Sequence, residues 1–188
     1  MLPKLIQRQN AYTGYLSIDR LQLQLADGAT VWREVERHGN AAVVLPYDAK
    51  HRCALVVRLF RAPVFDACGK VALEEACAGM IGEEGAEAAA RREAMEEMGV
   101  SLGSLELVAH VWSSAGVSTE QQSLFLAPYE QVDRTGPGGG VADEHEGITP
   151  IERPLAELAV EVAQYQIADA KLVTLILALQ LRRPELFA

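Results

Sequence analysis

Three glutamates in the segment REAMEEMGV, residues 92–100, have a spacing that suits metal chemistry. Glu93, Glu96 and Glu97 lie three and four positions apart, so a helix places them on one face. Like charges at this spacing destabilise a helix by about 0.2 to 0.5 kcal/mol per pair. No lysine follows any of the three by four positions to offset this repulsion. Two interpretations are open: a solvated acidic face, or carboxylates that bind a divalent cation, which prefers oxygen ligands.

The residues around these glutamates resemble the signature of the Nudix hydrolases. That signature reads Gly-x5-Glu-x7-Arg-Glu-U-x-Glu-Glu-x-Gly-U, where U is a bulky aliphatic residue. Two positions depart from it, since four residues rather than five separate Gly79 from Glu84, and Ala94 occupies the first U position. The shorter turn makes the role of Glu84 the least defined. The matching residues are Gly79, Glu84, Arg92, Glu93, Glu96, Glu97 and Gly99.

Four further stretches resemble the branch of this family that hydrolyses ADP-ribose and GDP-mannose. The resemblance implies an α+β fold, a Nudix-type α/β/α sandwich with a mixed sheet. It also implies hydrolysis of a nucleoside diphosphate sugar to a nucleoside monophosphate and a sugar phosphate, with GDP-mannose as first candidate and ADP-ribose as second. A non-catalytic nucleotide-binding module is the competing class, because a fold alone does not establish activity. The stretches are REVERHGNAA at 33–42, VVRLFRAP at 56–63, EEACAGM at 74–80 and GGGVADEHEGI at 138–148.

The resemblance assigns metal ligands to the acidic helix and to the strand before it. Glu93 and Glu97 would be direct ligands, and Glu96 would be a ligand or act through water. The backbone carbonyl of Ala78 would complete the protein's share. Mg²⁺ is the expected cofactor, with Mn²⁺ as an alternative, because both accept carboxylate oxygens.

The remaining catalytic roles follow from the same resemblance. Arg92 would orient a carboxylate, Glu84 being the first candidate; alternatively it forms only a surface ion pair. The general base would be Glu146, or Glu144 as second choice, in a loop whose glycines 138–140 supply flexibility. Alternatively, this acidic loop serves only solubility.

Candidate substrate-binding residues lie elsewhere in the chain. Arg58 and Arg61 could hold the diphosphate, since a guanidinium binds phosphate oxygens bidentately. Tyr15 and Trp32 are candidates for enclosing the nucleoside base, or else they pack at a dimer contact. Glu120 matches an acidic position of the branch and would contact a sugar hydroxyl or a metal-bound water.

The bulk composition restricts the classes of protein. The chain has 188 residues, 49% of them hydrophobic, which predicts one main domain. A formal net charge of -9 argues against a nucleic-acid-binding surface. Three cysteines without CxxC spacing fit neither a zinc site nor a disulfide framework. With no apolar run of membrane-spanning length, these features favour a cytoplasmic protein that does not enter a membrane.

The elements that must position these residues can be predicted from patterning. Residues 15–37 predict a hairpin with its turn at Asp27-Gly28. We expect an N-terminal β extension over 1–40, acting in a homodimer contact, and a Nudix domain over 41–188. Strands are predicted at 41–48, 53–60, 71–81, 105–112 and 123–129, a helix over 86–98 ending at Gly99, a loop over 135–147, and two closing helices around Leu155 to Val162 and Leu172 to Leu179.

Overall fold

The computed structural model describes residues 2–140 and 147–188, and its contacts divide the chain into two units. One unit comprises Met1–Ala41 and His110–Gln122, and the other comprises Ala42–Ala109 and Ser123–Ala188. The first division lies next to the boundary predicted near residue 40. The inclusion of residues 110–122 in the N-terminal unit was not predicted, because sequence patterning reports only local contacts.

The N-terminal unit is built on a three-stranded antiparallel sheet. The predicted hairpin is present, and Gly28 has the positive φ of 88° that its turn requires. A strand before it was not predicted, because its mostly polar residues show no clear alternation. This strand is exposed along its whole length in the chain. In order across the sheet the strands are β1, Lys4–Thr13; β2, Ser17–Gln24; and β3, Thr30–Arg37.

The larger of the two sheets in the described residues has seven strands. The strands are β4, Ala41–Asp48; β5, Cys53–Leu59; β6, Leu73–Glu75; β7, Cys77–Met80; β8, Glu106–Trp112; β9, Gln121–Pro128; and β10, Thr149–Pro154. The main path of the sheet runs β10-β5-β4-β9-β8, while β6 pairs with β5 and β7 pairs with β4. The predicted single strand over 71–81 was wrong, because the chain changes partner strand at Ala76. Strand β10 was also not predicted.

Four α-helices occur in the part of the chain that is described. The second begins and ends as predicted, since Gly99 takes the left-handed conformation (φ 66°) and donates its N–H to the end of the helix. The two closing helices are also confirmed, whereas the first was not predicted and buries no residue. None of the helices in residues 2–140 and 147–188 has the length and apolar run needed to span a membrane. They are α1, Ala62–Cys68; α2, Ala86–Met98; α3, Leu155–Ala163; and α4, Ala170–Arg182.

Alternation along β5 decides which side chains face helix α2. Leu55, Val57 and Leu59 are buried in one cluster with the alanines of α2. Arg58 lies between two of them and therefore points to the opposite face of the sheet. Ala94 is fully buried in the same cluster, so the small residue at the first U position faces the sheet. With helices and a mixed sheet, the α+β class is confirmed.

Candidate active site

The three glutamates at the C-terminal end of α2 differ in solvent exposure. The side chains of Glu93 and Glu96 are 13% and 34% exposed, and Glu97 is 5% exposed as a residue. The helix that carries them starts directly after Gly85, whose φ of 84° turns the chain out of the preceding loop. Its alanine-rich first half has high helix propensity and packs on the sheet. The three carboxylates therefore project from a rigid helix and are buried to different degrees.

Arg92 joins the acidic helix to the turn before it. Its Nη1 donates to Glu93 Oε1 at 2.7 Å and to Glu96 Oε2 at 2.9 Å. Its Nε and Nη2 donate to Glu84 Oε1 at 3.3 and 3.2 Å, and Nη2 also donates to the carbonyl of Met80 at 3.0 Å. The shortened turn thus still brings Glu84 to Arg92. Arg92, an arginine inside the motif, thus offsets the repulsion between Glu93 and Glu96 in this structure.

Ionisation at this turn follows from the same contacts. Partial burial would lower the pKa of Arg92, but Glu93, Glu96 and Glu84 outweigh it and raise that pKa above its ordinary value. The pKa of the Glu84 carboxyl is lowered, first by the backbone N–H of Glu84 and then by the guanidinium of Arg92. Arg92 and Glu84 are therefore charged together at neutral pH.

Gly79 provides the space that the Glu93 carboxylate occupies. A Cβ placed on Gly79 would lie 1.8 Å from Glu93 Oε1, so the carboxylate rests against the backbone beside Ala78. Carboxylate and carbonyl oxygens are the donors that a hard divalent cation takes. Within residues 2–140 and 147–188, no three His, Cys, Asp or Glu side chains are already arranged to hold a metal ion. The donor types suit the ion, and Arg92 lies between two of the carboxylates.

Glu97 lies deepest, beside a buried thiol on β7. Cys77 is fully buried, and both burial and the neighbouring Glu97 carboxylate raise the pKa of its thiol. The thiol is therefore neutral and adds no charge to the acidic face. Of the other cysteines, Cys53 is buried and Cys68 is exposed, and all three are free.

The three consecutive glycines contact the end of α2. Gly139 and Gly140 donate their N–H groups to the carbonyls of Glu97 and Glu96 at 2.8 and 3.0 Å. All three glycines have positive φ values, 67° at Gly138. The predicted flexible glycine segment is thus hydrogen-bonded to the helix in this structure. The base candidates Glu144 and Glu146 belong to 141–146 and lie outside the described residues.

The two candidate diphosphate ligands pair with different glutamates of β6. Arg61 makes a two-pronged ion pair with Glu75, from Nε to Oε1 at 2.7 Å and from Nη2 to Oε2 at 3.2 Å. Arg58 pairs with Glu74 at 3.0 Å and lines a cleft of about 610 Å³ that also includes Arg153. This cleft lies on the face of the sheet away from α2. The structure therefore does not bring Arg58 together with the acidic helix.

The three remaining predicted residues belong to the N-terminal unit. The ring of Tyr15 lies 5.3 Å from that of His38, centroid to centroid, and Tyr15 is 87% exposed. The guanidinium of Arg20 stacks over Trp32 at 5.0 Å from the ring centroid. Glu120 accepts a hydrogen bond from Gln122 at 3.2 Å.

Three charged residues close to Arg61 were missed by sequence reasoning. They are Glu75, which pairs with Arg61, and Lys171 and Asp169 at the start of α4. Lys171 donates to both Glu75 and Asp169. Asp169 caps this helix through the N–H groups of Lys171 and Leu172. An aspartate directly before an apolar helical run is a capping signal that could have found it. Lys171 carries no comparable signal.

The fold and the acidic helix define a Nudix protein. The model of the NUDIX domain matches residues 36–173, and the chain belongs to this family, as predicted. A GDP-mannose pyrophosphatase from Cronobacter sakazakii is 38% identical over 151 residues, 80% of this chain and 78% of that protein. One from Klebsiella pneumoniae is 36% identical over 162 residues, covering 85% and 81%. A crystal structure of an ADP compounds hydrolase shares the fold, with a TM-score of 0.79, 16% identity and 98% and 96% coverage.

Proposed function

We propose that the protein hydrolyses the diphosphate of a nucleoside diphosphate sugar, with GDP-mannose as the first candidate. The products would be a nucleoside monophosphate and a sugar phosphate. The observation that carries this proposal is the helix α2, which presents Glu93, Glu96 and Glu97 together with Arg92. The names of relatives that are 34 to 38% identical over about 80% of the chain favour this substrate.

Mg²⁺ is the proposed cofactor, with Mn²⁺ as an alternative. Glu93 and Glu97 would hold the ion directly, Glu96 directly or through water, and Ala78 through its carbonyl. Such an ion neutralises phosphate oxygens and lowers the pKa of a bound water. The space at Gly79, which admits the Glu93 carboxylate beside Ala78, supports this donor set. In the described contacts Arg92 neutralises the same carboxylates, so it would give up part of that role when a cation binds.

The remaining residues have proposed roles around the diphosphate. Arg61 would bind phosphate oxygens, because a guanidinium offers several donors in one plane. Glu146, or Glu144, would remove the proton from the attacking water. Arg92 would keep the turn at Glu84 in place and would not touch the reacting atoms.

We also propose that the protein acts as a homodimer through its N-terminal strands. The first strand is exposed along its whole length and includes Leu5, Ile6 and Tyr12, each more than half exposed. Long exposed strands with apolar side chains are usually covered in the functional assembly. Tyr15, Trp32 and Glu120 would then serve the nucleoside or the sugar near this contact. Light scattering in solution would give a mass of two chains, and a mass of one chain would contradict this.

A substrate panel tests the proposal directly. Purified protein would be incubated with Mg²⁺ and GDP-mannose, ADP-ribose, UDP-glucose or a diadenosine polyphosphate, and products separated by chromatography. We expect GMP and mannose 1-phosphate to form fastest, and chelation of the metal to stop the reaction. Preference for ADP-ribose would keep the reaction and change the substrate. Binding of a nucleotide without turnover on any substrate would favour the non-catalytic alternative and contradict the proposal.

A further inference from the structure

A chain of four charged side chains connects the start of α4 to Arg61. Lys171 Nζ donates to Asp169 Oδ1 at 2.7 Å and to Glu75 Oε2 at 3.1 Å. Glu75 in turn accepts from Arg61 at 2.7 and 3.2 Å. Glu75 is 3% exposed and Asp169 6% exposed, so the two carboxylates of the chain are shielded from water, while the Arg61 side chain is 43% exposed. We refer to Arg61, Glu75, Lys171 and Asp169 as the charged cluster.

The charges of this cluster stabilise one another in spite of burial. Burial would raise the pKa of Glu75, but Arg61 and Lys171 outweigh it and lower that pKa. Burial would lower the pKa of Lys171, but Asp169 and Glu75 outweigh it and raise that pKa. Glu75 and Lys171 therefore remain charged near neutral pH, and removal of one partner leaves a buried charge less well compensated.

The cluster also holds the backbone next to the proposed metal site. Asp169 Oδ2 accepts the N–H of Ala76 at 3.1 Å and the N–H of Leu172 at 3.2 Å. Ala76 is the residue at which the chain passes from β6 to β7, two positions before Ala78. One aspartate thus fixes the start of α4 to the strand that leads into the signature.

We propose that Lys171 is a positioning residue for the guanidinium of Arg61. This inference rests on the proposed function, in which Arg61 binds the diphosphate. Glu75 engages the Nε and Nη2 edge of Arg61, and this sets the direction in which the Nη1 edge points. Lys171 holds the same carboxylate through Oε2, the oxygen that also accepts from Nη2. Lys171 therefore acts on substrate binding through Glu75 and does not need to touch the substrate.

A double-mutant cycle in steady-state kinetics tests this role. Lys171→Met keeps the length of the side chain and removes its charge. We expect it to raise KM for GDP-mannose by about tenfold or more, with a smaller change in kcat, because misplaced contacts weaken binding. Lys171→Arg should recover most of the loss. In an Arg61→Ala background, Lys171→Met should have no further effect on KM, and Lys50→Met, on an exposed turn, should match the wild type.

An NMR measurement tests the positioning without any turnover. The Nε–H signal of Arg61, assigned from its loss in Arg61→Lys, should exchange slowly with water in the wild type because Glu75 accepts this proton. In Lys171→Met we expect the signal to shift and exchange faster. If Lys171→Met does not fold, Lys171→Gln keeps a donor and serves instead. If no substrate is cleaved, the proposed function fails while this measurement still decides the positioning.

Two results would overturn the proposal. One is an Arg61 Nε–H signal that is unchanged when Lys171 is replaced in a folded protein. The other is an equal effect of Lys171→Met on KM with and without Arg61, which would mean that the lysine acts by another route.

Discussion

Arg92 contacts Glu84 across the turn that precedes its own helix, through Nε and Nη2 at 3.3 and 3.2 Å from one carboxylate oxygen. The same guanidinium donates to Glu93 and Glu96. Repulsion within the acidic face is thereby offset by a residue of the signature itself. The proposed cation would neutralise the same glutamates, so Arg92 and that cation would share one electrostatic task.

Replacement of Arg92 tests this shared task. Arg92→Ala should lower the melting temperature in EDTA, by an amount equivalent to about 1 kcal/mol, because its ion pairs are partly exposed. Mg²⁺ should then raise the melting temperature more than in the wild type, since no guanidinium competes for the carboxylates. Thermal unfolding with and without Mg²⁺ measures both effects. Arg91→Ala, which removes a contact with Glu87, is the matched control, and an equal Mg²⁺ shift in both variants would contradict the prediction.

Gly138 is expected to tolerate no side chain. Its φ is 67°, and a Cβ there would lie 2.4 Å from the carbonyl oxygen of Glu97. Gly138→Ala should reduce the free energy of unfolding by about 2 kcal/mol or more, because both the backbone conformation and the space are unfavourable. Urea denaturation measures the change. Gly103→Ala is the control, because a Cβ there has no atom within 4 Å, and it should have little effect. Equal losses in the free energy of unfolding for the two variants would contradict the packing of the glycine segment against α2.

The stability contributed by Glu75 should depend on pH. Because its pKa is lowered on folding from an ordinary value of 4.5, its contribution is fully present above that value and is lost as pH falls through the folded pKa. At pH 7, Glu75→Gln should cost about 3 kcal/mol, as expected for a broken buried pair. The difference from the wild type should shrink below pH 4.5 in urea denaturation. A difference that stays constant down to pH 3 would show that the charge of Glu75 does not stabilise the fold.

The sequence predicted local elements better than long-range contacts. Helix α2 and its end at Gly99 could be predicted, because propensity and a C-terminal glycine act within a few residues. The exposed strand β1 could not, since its polar residues form a strand only by pairing with β2. The charged cluster was also missed, because Glu75 and Lys171 lie 96 positions apart. Local pattern gives no information about which charges meet across the fold.

Replacement of Glu97 tests the proposed metal ligands. Glu97→Gln removes one proposed ligand charge and keeps the shape of the most buried glutamate of α2. The matched control is Glu87→Gln, at an exposed position in the first turn of the same helix. Circular dichroism would establish that both variants are folded.

The most direct measurement is kcat for GDP-mannose with saturating Mg²⁺ in the wild type and these two variants. We expect Glu97→Gln to lower kcat by roughly a hundredfold or more, as the loss of a metal ligand does, while Glu87→Gln retains wild-type turnover. A folded Glu97→Gln protein with unchanged kcat would contradict the assignment of the α2 carboxylates as the metal-binding group of this enzyme.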